Sequence, residues 1–150
     1  MTERLRIAMV AACPFPWPRG TPIRIHRMAE ALALRGHDIH VVTYHLGEEL
    51  TQAPFTIHRI GNVLGYRHTA PGPTLRKLAQ LNPMLVRLLR RLNGENRFDV
   101  VHAHHYEGLL CASFAPSDAP VIYDAHTMLV GELPHYRLGL PGWFKQKVGS

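Results

Sequence analysis

Residues Leu5 to Ala12 form an apolar run interrupted only by Arg6, and a loop carrying Pro14, Pro16 and Pro18 follows at once. A strand covered on both faces reads as such a near-continuous apolar run, and strands of that kind belong to parallel sheets. The loop passes Gly20 and ends in Thr21-Pro22, a helix-start signal. Threonine offers its hydroxyl as N-cap, and proline in the first turn lacks an N–H that would have no partner there. Ile25, Met28, Ala29, Leu32 and Ala33 then recur on one helical face. Gly36 is expected to close that helix in the left-handed conformation. Asp38 to Tyr44 is short and β-branched, a second strand. Strand, helix and strand in this order form a βαβ crossover, which requires a parallel sheet. The free N–H groups of the helix then point over the end of the first strand, where they favour an anion. At Gly20 a missing side chain would let a ligand approach the backbone.

The pattern continues down the chain. Phe55 to Ile60 alternates as a third, edge-type strand, and the Gly/Pro-rich stretch from Gly61 to Pro73 is expected to be a mobile loop. Leu75, Leu78, Ala79 and Leu81 begin a helix that Asn82-Pro83 restarts, bringing in Leu85, Leu88, Leu89 and Leu92. Asn93-Gly94 is expected to stop it. Phe98 to His104 and Pro120 to Ala125 read as strands four and five, with a short helix from Glu107 to Phe114 between them. A loop through Gly131, Pro134 and Gly139 and a further helix from Pro141 complete the chain. The expected fold is an α/β, open, doubly wound and mainly parallel sheet of Rossmann type in the order 3-2-1-4-5. Ligands of such sheets bind beyond the carboxyl ends of the strands. Four segments meet that edge: Cys13–Thr21, Tyr44–Glu49, His104–Glu107 and His126–Met128. Three of them bring histidine.

Composition narrows the function classes. With 46% hydrophobic residues the chain is globular rather than disordered. Two cysteines, Cys13 and Cys111, form no disulfide framework. No apolar run approaches the roughly 18 residues of a membrane span. The net charge of +6 resides in one window: Arg67, Arg76, Lys77, Arg87, Arg90, Arg91 and Arg97 face a single acid, Glu95, and the remainder is balanced. Such a window suggests an anionic partner. His102, His104 and His105 offer imidazoles for a metal. His102 and His104 would share a strand face and His105 would turn away. No cysteine or carboxylate is evident from the spacing to complete a ligand set, so no metal is expected. Cys13 has no base placed to make it a nucleophile.

Several of these segments are similar to one family. Pro14-Phe15-Pro16 through Arg19-Gly20-Thr21-Pro22-Ile23-Arg24, Met28-Ala29-Glu30-Ala31-Leu32, Arg35-Gly36-His37-Asp38-Ile39 and Val42-Thr43-Tyr44 resemble the start of GT-B glycosyltransferases of family 4. Phe98 to His105 and Val121 to His126 resemble the fourth and fifth strands of the same N-terminal domain. The resemblance runs from about Arg6 to His126. It implies one half of a GT-B architecture, in which two Rossmann-like domains face each other across a cleft. The N-terminal domain holds mainly the acceptor and the other holds the nucleotide-sugar. Residues 1–150 would be the acceptor-side domain, truncated, with the donor domain absent, so that the fragment by itself is inactive. By position, Gly20 matches the glycine whose backbone approaches the donor diphosphate, with Thr21 and Arg24 beside it. His126 matches the histidine that contacts the donor sugar near the reaction centre. His104, His105 and Glu107 would line the acceptor side. The implied enzyme is a retaining hexosyltransferase without a cofactor. Its partners are a nucleotide-sugar donor and a sugar or lipid acceptor. The cysteine usage makes a reducing, cytoplasmic compartment the default, and the basic window suggests peripheral docking on an anionic membrane surface beside a lipid acceptor.

Three rival readings come from other classes, one of them a stand-alone binding or assembly domain derived from a transferase half. A dinucleotide-dependent oxidoreductase needs G-x-G-x-x-G after the first strand and an acid closing the second. Here the loop has one glycine, and the second strand ends Thr43-Tyr44-His45. A nucleic-acid- or anion-binding module without catalysis would use the basic window. That window lacks the interleaved aromatics of single-strand binders, so no nucleic acid is expected.

Overall fold

The computed structural model describes residues 3–18, 20–67 and 72–126. Five strands, β1 (Arg6–Ala11), β2 (Asp38–Thr43), β3 (Thr56–Arg59), β4 (Val100–His104) and β5 (Val121–Asp124), form one sheet in the order β3-β2-β1-β4-β5. Every pairing is parallel. Helix α1 (Gly20–Leu34) packs on one face, and α2 (Asn82–Asn96) and α3 (His105–Phe114) on the other. The expected topology is therefore the observed one. The physical reason is that each strand is followed by a crossover long enough to carry the chain back to the opposite end of the sheet.

β1 is central and buried from Ile7 to Ala11. Side chains alternate across a strand, so Ile7, Met9 and Ala11 pack with Ile25 and Ala29 of α1. Ala8 and Val10 join Leu85, Leu89, Leu92 and Cys111 on the other side. The leucines of α2 are thus committed to the core. α1 closes as expected: Gly36 has φ +94, and its amide and that of His37 bond back to Ala33 O and Leu32 O.

Four local readings change. α1 begins at Gly20, one residue before the expected Thr21 cap. The helical run from Leu75 passes through a π-helical segment, Lys77–Leu81, before Asn82. α2 does not stop at Gly94 but continues to Asn96, where Arg97 adopts the left-handed conformation at φ 47. The stretch expected to be mobile buries Val63 and Tyr66 against the α2 side of the sheet. The further helix from Pro141 and the loop before it lie outside the described residues.

α3 approaches the sheet closely at one point. A Cβ added to Gly108 would lie 2.7 Å from the backbone oxygen of Val10, whereas one added to Gly94 would meet nothing within 4 Å. The two glycines should respond in opposite directions. Gly108→Ala is expected to cost about 1–3 kcal/mol, because β1 cannot yield. Gly94→Ala is expected to stabilise by about 0.5–1 kcal/mol through helix propensity. Urea denaturation of the two variants checks both signs.

Candidate functional site

The parallel register sets the carboxyl edge. Ala11 pairs with His104, and His104 with Asp124, so the side chains of His104 and Asp124 emerge on the same face of neighbouring strands. His102 lies two residues back on that face, and its ring centroid is 4.2 Å from that of His104. Ala11 is small, which leaves this corner open to the imidazoles. α1 brings Arg24 across the face: its Nη2 donates to Asp124 Oδ1 at 2.9 Å. His126, just beyond β5, sets Nε2 3.2 Å from Asp124 Oδ2, and His104 Nδ1 is 3.4 Å from the same oxygen.

Burial controls the charge state of this group. The His104 side chain is fully enclosed, and that loss of hydration, reinforced by His102 and only partly opposed by Asp124, pushes its pKa down to about 3. Burial also lowers His102 and His126, with Asp124 pulling each back up. Desolvation disfavours the imidazolium, so at neutral pH these are neutral rings offering lone pairs or N–H donors.

Gly20 opens α1 with φ +52, and a Cβ there would meet nothing within 4 Å. The conformation favours glycine, and the space above it is clear for a ligand. The proline loop before it is fixed to β2 and its successor. Thr43 Oγ1 donates to Cys13 O at 2.6 Å, Phe15 N to Leu46 O at 2.9 Å, and Arg59 Nη2 to Phe15 O at 2.9 Å. Phe15 is buried in the α1 core and Trp17 is exposed.

Of the residues singled out in the sequence, Arg24, His104 and His126 converge on Asp124. Gly20 and Thr21 form the first turn of the helix that delivers Arg24. His105 begins α3 at φ 61, and its ring lies 6.5 Å from that of His126. Glu107 goes elsewhere. It is buried on the α2 side, where its Oε2 is 3.7 Å from Lys77 Nζ, each side chain only 5% exposed. Lys77 also donates to Gly72 O at 2.7 Å, and Tyr44 donates its hydroxyl to Asn82 Oδ1 close by. Burial raises the pKa of Glu107 against the pull of Lys77. Desolvation, opposed by Lys77 and reinforced by Glu107, pushes the Cys13 thiol up to about 12, which removes it as a nucleophile.

The residue that sequence reasoning missed is Asp124. Its signal was its spacing: two residues before His126 at the end of a strand, hence on the same face. The basic window also proves less uniform than its charge suggests. Lys77 points inward, Arg76 donates to the carbonyls of Leu64 and Gly65, Arg90 to Phe114 O, and Arg91 pairs with Glu95.

A family model described as Glycosyltransferase Family 4 matches residues 18–149. Among solved structures, sucrose-phosphate synthase from Thermosynechococcus elongatus aligns with a TM-score of 0.69 at 14% identity, over 97% of this chain and 39% of that one. A UDP-N-acetylglucosamine 2-epimerase aligns with a TM-score of 0.42 at 15% identity, over 98% of this chain and 40% of that one. The chain thus spans 39–40% of the length of these structures. At such identity the synthase likeness concerns the fold. No curated protein matches the sequence.

The Lys77–Glu107 pair tests how the second polar group is held. Removing one partner of a buried pair strands the other, so Lys77→Met is expected to cost about 3–5 kcal/mol. Adding Glu107→Leu should recover most of that loss. Equilibrium denaturation of the single and double variants measures it.

Proposed function

Because the chain belongs to glycosyltransferase family 4, we propose that residues 1–150 form the acceptor-side wall of a two-domain GT-B enzyme. That enzyme, a retaining hexosyltransferase, moves a sugar from a nucleotide-sugar donor to an acceptor. The observation that carries this reading is the convergence of the α1 N-terminus, Arg24, His104 and His126 around Asp124 at the carboxyl edge of the sheet. Gly20 contributes open backbone, and the helix end behind it favours the negative charge of a donor diphosphate. Thr21 and Arg24 continue that surface. His126, a neutral imidazole, hydrogen-bonds the donor sugar and stabilises the developing oxocarbenium centre rather than acting as a base. His105 faces the acceptor, whereas His104 is enclosed beneath it and Glu107, paired with Lys77 on the α2 side, does not reach it. The nucleotide is held mainly by the opposing domain.

Transfer across a cleft needs both walls to orient the reactants and exclude water. Residues 1–150 alone should therefore leave nucleotide-sugar turnover at background. In a protein joining this domain to a donor-binding domain, His126→Ala should lower kcat by about 10²-fold or more, the scale of a lost transition-state hydrogen bond. Gly20→Val should do likewise by filling the space of the phosphate oxygens. Robust turnover by the chain alone, or wild-type turnover by a folded His126→Ala protein, would refute the assignment.

One surface favours a lipid acceptor drawn from the cytoplasmic face of an anionic membrane. Leu64, Leu75 and Leu78 are exposed, and Arg76 lies against Leu64. The α2 leucines, being buried, take no part. No helix among the described residues is long and apolar enough to cross a membrane, so contact would be peripheral. Each basic residue near such a surface contributes about 1 kcal/mol. Co-sedimentation should show binding to anionic vesicles that fades with salt and weakens on joint Leu64→Ser and Leu75→Ser substitution. Equal binding to neutral vesicles, or none to either at low salt, points instead to a soluble acceptor.

A further inference from the structure

The geometry points to a zinc-class metal site at the carboxyl edge, built from His102 and His104 of β4 and Asp124 of β5. Each of these residues offers one ligand atom, and the three atoms lie within 4.8 Å of one another. Ligand bonds of about 2.0–2.1 Å would set tetrahedral donors roughly 3.3 Å apart, so closing the set takes only side-chain adjustment. The spacing of the two histidines suits joint ligation, because residues i and i+2 of one strand share a face. The parallel register then sets Asp124 directly beside His104.

Unmet polar atoms at this point call for an occupant. Both ring nitrogens of His104, Nε2 of His126 and Oδ2 of Asp124 are buried without a hydrogen-bond partner among the described residues. Three of them face each other, with His104 Nδ1 and His126 Nε2 at 3.4 and 3.2 Å from Asp124 Oδ2. Leaving such groups unsatisfied is costly, and one cation at their focus would satisfy several together. Arg24 does not compete for the same oxygen. It binds Oδ1 at 2.9 Å and leaves Oδ2 turned toward the imidazoles of His104 and His126, which orients the carboxylate as an outer partner of a metal ligand does.

The donor set selects the metal class. Two imidazoles and one carboxylate suit zinc and its neighbours in the first transition row, whereas magnesium and calcium favour all-oxygen sites. Three protein ligands leave a fourth position for water or a ligand oxygen, with His126 alongside. The site shares His104 and Asp124 with the transferase reading, which itself requires no metal, so metal binding is read directly rather than through turnover.

The experiment uses residues 1–150 without a histidine tag, stripped with chelator and titrated calorimetrically with zinc chloride. One zinc per chain is expected, with no magnesium binding, and cobalt should give the visible bands of a tetrahedral site. His102→Gln and Asp124→Asn should each weaken zinc at least about 100-fold, beyond the 10–100-fold typical of outer partners. His40 and His58 form a separate pair at the other edge, 2.8 Å apart between ring nitrogens, so His58→Gln should change nothing. Absence of saturable zinc binding, wild-type affinity in His102→Gln, or loss of binding in His58→Gln would overturn the site. Should His102→Gln fail to fold, cobalt-induced paramagnetic shifts in the unaltered chain decide. Shifts centred on β4 and β5 support the site, and shifts centred on β2 and β3 overturn it.

Discussion

Everything at the carboxyl edge depends on the register of β1 against its two neighbours. Side chains alternate with period two, so a slip of one residue would turn a whole strand to the other face. β1 resists such a slip because both of its faces are buried: Met9 and Ala11 belong to one apolar layer and Ala8 and Val10 to the other. That fixed strand sets Ala11 against His104, and β4 in turn sets His104 against Asp124. The histidines reach their positions through hydrophobic packing that involves none of them.

The two faces of the sheet carry different polar chemistry. On the α1 face, neutral imidazoles gather around one carboxylate that an exposed arginine holds from outside. On the α2 face, Lys77 and Glu107 are enclosed together with Asn82 and Tyr44. The first group reaches the surface at its rim through the exposed Arg24 side chain. The second holds the π-helical segment to α3, and it does so with charges whose desolvation must be matched by their mutual attraction.

The strand order and the burial of β1 were legible in the sequence because apolar runs and crossover lengths are local signals. The restart of the helix at Asn82-Pro83 was legible for the same reason. Its end was not. Gly94 has the chemistry of a stop, but Leu92 packs in the core and Asn93 donates to Ala115 O, so the helix continues to Asn96. The clustered histidines were visible as residues, and the shared face of His102 and His104 followed from spacing. Asp124 lies twenty residues from His104 in sequence, and only the parallel pairing of β4 with β5 brings it alongside. Glu107 and Lys77 are also distant in sequence. Nothing local in either segment shows that the acid turns inward to meet the lysine.

β5 differs from the strands it completes. Val121, Ile122 and Tyr123 are 47%, 53% and 41% exposed, while the centre of the sheet is dry. Protection against hydrogen exchange should therefore grade across the sheet, with β1 amides opening only on global unfolding and β5 amides through cheaper local excursions. The candidate site straddles that gradient, since His102 and His104 stand on the rigid side and Asp124 and His126 on the soft one. A molecule that binds both sides spends part of its binding free energy on restraining β5, so its affinity and the local order of the last strand are one linked quantity.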